Sequence, residues 1–359
     1  MSDRGSTLPE RVVLVLQGGG ALGAFQLGVA EALAEAGIQP DWIVGTSIGA
    51  LNGAILAGNP PERRIERLAA FWDGMARSSI ADAWGWLPAA ASAWRRMEAM
   101  TTGVPGLYGP RFGVGGAAYD TAPMRRSLDA LVDIECLNAG APRLTVGAVS
   151  VTRGRMRYFD TASQRIDVDH IMASAAIAPA FPAVEVDGDF YWDGGLYSNT
   201  PIEAVFSDSR RRSAVIFAVQ LWQPDGVLPG DIASAIERVR EIRFASRAAA
   251  NIEHQAELHH LRHVVRELER RMPEHLRKDP EVKALVAYGC ATIMHVIRLI
   301  APPLSGHAGL KDLDFSRAGI DERRQAGREA VMRMIQRAPW QDAVDPTIGV
   351  AVHDDHAHA

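Results

Sequence analysis

The stretch Asp41-Trp42-Ile43-Val44-Gly45-Thr46-Ser47-Ile48-Gly49-Ala50 decides how this chain is read. Residues 41–46 have the short apolar make-up of a strand, and residues 48–58 read as a helix that begins directly after it. G-x-S-x-G at such a junction is the setting of a nucleophile elbow, with Ser47 on the sharp turn. Gly45 and Gly49 leave room for the backbone that a strained serine turn brings close. The helix that follows points free N–H groups at the serine, where they favour the negative charge that develops during acyl transfer.

Working outward toward the N-terminus, residues 11–17, Arg-Val-Val-Leu-Val-Leu-Gln, look like a buried parallel strand. Gly18-Gly19-Gly20-Ala21-Leu22-Gly23 follows, then a helix over 24–37 that stops at a glycine. Strand, helix, strand, helix with tight turns predicts an α/β fold, a parallel sheet with helices on its faces. The glycine loop also fits G-x-G-x-x-G, and Asp41 lies near the spacing of a ribose-binding acid. That acid should end the second strand, however, whereas Asp41 begins it and the strand runs into the elbow. An oxyanion hole is the better reading, because glycines let main-chain N–H groups approach a substrate beside Ser47. Both features then sit at the carboxyl ends of adjacent parallel strands, where α/β folds place their chemistry.

A serine nucleophile needs a base. His170, beside Asp169 at a predicted helix start, reads as structural while remaining the best histidine candidate for the base, and His254, His259, His260 and His263 read mainly as a solvated helix face. The segment Trp192-Asp193-Gly194-Gly195-Leu196-Tyr197-Ser198-Asn199-Thr200-Pro201 offers another base. Asp193 follows a strand, and the two glycines can hold its carboxylate against a neighbouring loop; a plain Asp-Gly turn is the other reading. Thr200-Pro201-Ile202-Glu203 predicts a capping box and a helix entry. With Asp193 in reach of Ser47, the carboxylate would take the serine proton.

The remaining composition mostly excludes. In 359 residues the net charge is -5, so no basic surplus points to nucleic acid. Cys136 and Cys290 make no metal-ligand spacing and read as free thiols of a reducing compartment; no cofactor or metal is expected. There is no apolar run of transmembrane length and no signal-peptide pattern, so the expectation is a cytoplasmic protein that meets membrane only at its surface. Residues 84–107, with Trp84, Trp86, Trp94, Met97 and Met100, are either core or a cap that meets lipid at the water interface. Further strands are expected at 143–151, 156–160, 184–186, 190–192, 213–221 and 292–300. Residues 231–285 read as charged helix, with Glu237 and Glu241 beside Arg238 and Arg240, and residues 320–336 as a last helix. His353, His356 and His358 belong to an expected disordered end.

GGGALG at 18–23, GTSIG at 45–49 and DGG at 193–195 occur in one order, supported by ASAAIAPAFPAV at 173–184, Asn199 and Pro201. Together they resemble the patatin-like phospholipase family. The resemblance implies a three-layer α/β sandwich with a central, largely parallel sheet and helices on both faces. It also implies a calcium-independent acyl hydrolase with a Ser-Asp dyad and no histidine. By position, Ser47 would be the nucleophile, Asp193 the proton acceptor, and Gly18, Gly19, Gly20, Ala21, Leu22 and Gly23 the oxyanion loop. Gly45, Gly49, Gly194 and Gly195 would frame them. Many relatives carry a basic residue where this chain has Leu22, so backbone donors are expected there and no side-chain cation. The resemblance covers 11–221, and KDLDFSRAGIDERRQAG at 311–327 resembles the C-terminal extension of a bacterial subgroup. The expected organisation is a flexible 1–10, a catalytic 11–221, a mainly helical 222–340 packed on it, and a flexible 341–359. The expected substrate is a lipid ester; short-chain esters, polyester oligomers and noncatalytic lipid binding are the alternatives.

Overall fold

The computed structural model describes residues 8–77, 88–111, 116–208, 210–303, 311–345 and 347–355. β1 (Val12–Leu16) is buried at every residue, because both faces of the sheet are covered. Leu14 and Leu16 join one apolar cluster, Val13 and Val15 the other. A 3₁₀ turn at Gly20–Gly23 leads into α1 (Ala24–Glu35), then β2 (Trp42–Gly45) and α2 (Ile48–Ala57). α3 (Pro61–Met75) opens on a proline in its first turn, where the missing N–H costs nothing. α4 (Pro88–Thr102), the two-residue pair β3 (Gly109–Pro110) and β4 (Tyr119–Asp120), α5 (Ala122–Leu131) and α6 (Ile134–Asn138) come next. They are followed by β5 (Arg143–Ser150), β6 (Met156–Asp160), α7 (Val168–Ser174), β7 (Val184–Val186) and β8 (Asp189–Asp193). The chain continues through α8 (Ile202–Phe206), β9 (Ala214–Gln220), the long α9 (Ile232–Arg271), α10 (Glu274–Arg277) and α11 (Pro280–Val286). β10 (Met294–Ile300), α12 (Arg317–Arg337) and β11 (Val350–Asp354) close it.

The strands form a nine-stranded sheet in the order β11-β10-β9-β1-β2-β5-β8-β7, with β6 on β5. From β11 to β5 all pairings are parallel; β6, β7 and β8 are antiparallel. One face is covered by α1, α2, α3, α5, α7 and α12, the other by α8 and Ile252 of α9. This is the largely parallel, three-layer α/β arrangement. Among the described residues no helix is long and apolar enough to cross a membrane.

Two details of packing position the site. The first is the edge of β5. Val146 pairs with Gly45 of β2 and, on its other edge, with Phe159 of β6. Ala148 pairs with Arg157 of β6 and with Asp193 of β8. β8 therefore takes up the edge that β2 leaves, and only Gly147 separates the end of one from the end of the other. The second detail is the crossing of α12 over α1. A Cβ on Gly28 would lie 1.8 Å from the Arg324 carbonyl oxygen, and one on Gly327 2.1 Å from that of Phe25. Backbone lies on backbone there, flanked by the ion pairs Arg324–Glu31 and Arg328–Glu35.

The structure departs from the sequence reading in two places here. Val350–Asp354 form β11, so the expected disordered end over 341–359 does not hold there; Val350, Ala351 and Val352 supply the strand that the His/Asp composition obscured. His356 and His358 lie outside the described residues. The capping box at Thr200 is not made either, since α8 has no side-chain cap. The Thr200 hydroxyl accepts from Gln17 Nε2 at 2.7 Å, and Glu203 accepts the Tyr158 hydroxyl at 2.5 Å.

Candidate active site

Ser47 ends the turn after β2 with φ 58° and ψ -127°, a left-handed conformation that L-residues avoid and that persists only under tight surroundings. A Cβ on Gly49 would stand 2.2 Å from the Leu16 carbonyl oxygen, and one on Gly45 2.3 Å from that of Gly49. These two positions admit glycine alone, as the motif requires. The Ser47 N–H donates to Ser174 O and Oγ, both at 3.2 Å, and Ser174 Oγ donates to Gly147 O at 2.6 Å.

Asp193 arrives from the other direction at the end of β8. Its N–H donates to Ala176 O at 2.9 Å, so residues 174–176 brace Ser47 and Asp193 together. Its carboxylate accepts the Gly195 N–H at 2.7 Å, and the Ser47 side chain lies close enough to favour its charged form. Only 5% of Asp193 is exposed. Burial pushes its carboxyl up to about 6, against the nearby Ser47 side chain and the Gly195 N–H, which favour the charged form. Gly194 and Gly195 form the turn that follows the acid.

The glycine loop lies alongside. A Cβ on Gly18 would be 2.9 Å from Ser47 Cβ. Gly18 N–H donates to Asn199 O at 3.1 Å, and Gly18 O accepts from Asn199 Nδ2 at 2.9 Å and Trp222 Nε1 at 2.8 Å. Leu22 N–H donates to Gly19 O at 3.1 Å, and its side chain is buried in the core, so neither offers a donor or a cation. Among the described residues, no hydrogen bond engages the N–H groups of Gly19, Gly20 or Ala21. Gly23 closes the turn into α1. Among the described residues, three of the six loop residues thus keep backbone donors with no partner.

Four residues of this surrounding escaped the sequence reading or entered it only as motif: Gln17, Ser174, Asn199 and Trp222. The buried Gln17 ties three segments together, its Oε1 accepting from Leu221 N and Trp222 N while Nε2 reaches Thr200. A glutamine closing an apolar strand run was the signal. Asn199 joins the glycine loop to the segment after Asp193. Asn199→Ala removes a buried donor and is expected to cost about 1–2 kcal/mol, read as a lower urea midpoint.

Other expectations resolve plainly. His170 is buried and its Nδ1 lies 2.6 Å from Asp167 Oδ1, a capping interaction at the start of α7. His259 and His263 are buried rather than solvated: His259 packs on the Phe206 ring, and His263 Nε2 lies 2.9 Å from Thr292 O. Glu237 and Glu241 are buried as well and pair with Lys311, so they hold tertiary contacts instead of decorating a helix surface. Asp41 Oδ2 accepts Val12 N–H at 2.7 Å, at the strand ends opposite the glycine loop, which leaves it no part in a nucleotide site. Cys136 and Cys290 are free, and the described residues contain no cluster of three or more potential metal ligands. Trp94, Met97 and Met100 of α4 are exposed; Trp84 and Trp86 lie outside the described residues.

Strand, elbow and helix in this arrangement define an α/β protein of the nucleophile-elbow type. The chain belongs to the patatin-like phospholipase family, whose model, described as patatin-like phospholipase, matches residues 14–206, just over half of the chain. A second model, described as patatin phospholipase, matches residues 242–347. Similar curated proteins include the patatin-like phospholipase domain-containing protein ZK370.4 of Caenorhabditis elegans, 28% identical over 54% of this chain and 12% of its own length. Lysophospholipase nte1 of Aspergillus terreus is 65% identical over 13% of this chain and 3% of its own length. The patatin-like phospholipase domain-containing protein 7 of Rattus norvegicus is 49% identical over 17% of this chain and 4% of its own length. The chain thus matches only a small part of each of these relatives. Among solved structures, VipD from Legionella pneumophila is 14% identical with a TM-score of 0.35, covering 94% of this chain and 71% of its own. ExoU in complex with SpcU, from the type III secretion system of Pseudomonas aeruginosa, is 18% identical with a TM-score of 0.29, covering 69% of this chain and 53% of its own.

Proposed function

We propose that the protein hydrolyses carboxylic ester bonds of lipids through a Ser47–Asp193 dyad. The observation that carries this reading is the buried Asp193 carboxylate beside the elbow serine, at the meeting of two strand ends. Ser47 Oγ attacks the ester carbonyl as Asp193 takes its proton. The oxyanion rests on backbone donors from Gly19, Gly20, Ala21 and Ile48 at the start of α2. The alcohol leaves with the proton from Asp193, and the acyl group stays on Ser47. Water then attacks the acyl carbon while giving a proton to Asp193, and Asp193 returns that proton to Ser47 Oγ as the acid departs, restoring both residues. A carboxylate at its ordinary pKa would be a weak base; burial makes this one stronger. The phospholipase and lysophospholipase descriptions of the relatives favour a lipid ester, and the exposed Trp94, Met97 and Met100 suit an interfacial substrate.

A fluorophosphonate probe is expected to label Ser47 and no other residue, and Ser47→Ala to abolish both labelling and hydrolysis of a lysophospholipid. Labelling elsewhere, with turnover retained by the variant, removes the proposal. The base must be ionised to act, so kcat/KM should rise with pH through about 6 and level off above it.

A further inference from the structure

The first part of α9 has two faces of opposite character. Inward, Glu237 and Glu241 pair with Lys311 at 3.2 and 2.8 Å, and Phe244 packs 5.0 Å from the ring of Trp222, which holds Gly18. Outward, Ile232, Ile236, Val239 and Ile242 are exposed at 80, 50, 65 and 50%. Val227 and Leu228, in the loop just before, are almost fully exposed. Aliphatics repeating on one helix face normally find a cover, and a patch of this kind marks an interaction surface.

The exposed charge on the helix face itself is basic. Between Ile232 and Ile252 the only acids are Glu237 and Glu241, both buried, whereas Arg243 and Arg247 are exposed among the aliphatics; the exposed acids nearby, Asp225 and Asp231, lie in the loop before the helix. The face also reaches the candidate site. Arg247 donates to Leu196 O at 3.2 Å, in the turn after Asp193, and Leu196 and Tyr197 are themselves exposed. At 1.5 Å per residue, Ile236 lies roughly 16 Å along the helix from that contact.

We propose that this face of α9, continuous with Leu196 and Tyr197, seats the protein on an anionic lipid surface beside the entrance to Ser47. The proposal rests on the lipid-ester reading of that site. The aliphatics enter the boundary between headgroups and acyl chains, and the arginines meet lipid phosphates. A second copy of the chain suits this face less well, since an isologous contact would bring the arginines of both copies together, with Asp225 and Asp231 of the preceding loop as the acids at its edge. An anionic lipid surface satisfies the apolar and the basic groups at once.

Flotation of the Ser47→Ala protein with phosphatidylcholine vesicles, with and without phosphatidylglycerol, tests it. Binding is expected on the vesicles that contain phosphatidylglycerol. Adding Ile236→Glu and Val239→Glu should weaken it about tenfold or more, and Arg243→Gln about fivefold. With Ser47 intact, the same substitutions should leave p-nitrophenyl butyrate hydrolysis and the unfolding midpoint unchanged. Equal vesicle binding by all variants overturns the proposal. So does a concentration-dependent dimer that the glutamates split, which would make the cover a second copy. Vesicle binding without any ester turnover removes the enzymatic reading and leaves docking standing; turnover without vesicle binding does the reverse.

Discussion

Asp193→Asn should produce an enzyme that is about 10⁴-fold slower and yet more stable. Asparagine keeps the size of the side chain and can still accept the Gly195 N–H, but it cannot take the serine proton. Its effect on stability follows from burial. Asp193 titrates near 3.8 when unfolded and near 6 when folded, so between these values the native state binds the extra proton. The contribution of Asp193 is therefore fully present below about pH 4 and is lost as pH rises through about 6. Above that, the folded protein carries a buried carboxylate at a cost of roughly 3 kcal/mol. Asparagine carries no such cost. Urea unfolding of the two proteins should coincide at pH 4 and diverge by up to about 3 kcal/mol at pH 8. Near-normal turnover by the variant would sink the dyad, and coincident curves at pH 8 would show that the carboxylate is not strained by burial.

The second large effect is expected far from the chemistry. Gly28→Leu should destabilise the fold by about 3 kcal/mol or more. The clash is with the Arg324 carbonyl, and backbone cannot step aside as a side chain can. α12 would have to lift from α1, and with it the segment that Arg323 holds through the carbonyls of Asp314 and Lys311. That segment abuts the glycine loop, since a Cβ on Gly20 would meet the Asp312 carbonyl oxygen at 2.4 Å. Turnover should fall together with stability. Gly74 in α3 is the contrast: nothing lies within 4 Å of its Cβ position, and Gly74→Ala should stabilise by about 0.5–1 kcal/mol. Urea midpoints of the two variants, measured side by side, check both signs; equal midpoints would refute the contact argument.

These sites show what local sequence could reveal. The elbow was legible because Gly45, Ser47 and Gly49 are forced by one turn, and the strands because a sheet covered on both faces needs continuous apolar runs. Asp193 could be named from its glycines and from the lack of a well-placed histidine. Ser174 could not: its role comes from α7 ending beside Gly147, and within Ala-Ser-Ala-Ala it looks like one more small core residue. His259 and His263 read as solvated because α9 is charged along most of its length, yet a helix of 40 residues crosses from buried to exposed surroundings. The Thr200 box failed because distant partners, Gln17 and Tyr158, claimed both of its side chains. β11 was obscured by the histidines and aspartates around it, although Val350 and Val352 already alternated.

The shared edge of β5 gives the proposed dyad an all-or-none geometry. Strand pairing shifts only in whole residues. If β8 slipped by one residue against Ala148, the Asp193 side chain would turn to the opposite face of the sheet. A slip of two would return it to the correct face but displaced roughly 7 Å along the strand. No small drift of β8 can therefore grade the distance between Asp193 and Ser47. Substitutions along Asp189–Asp193 should sort into those that leave the pair intact and those that abolish it, with few partial losses between.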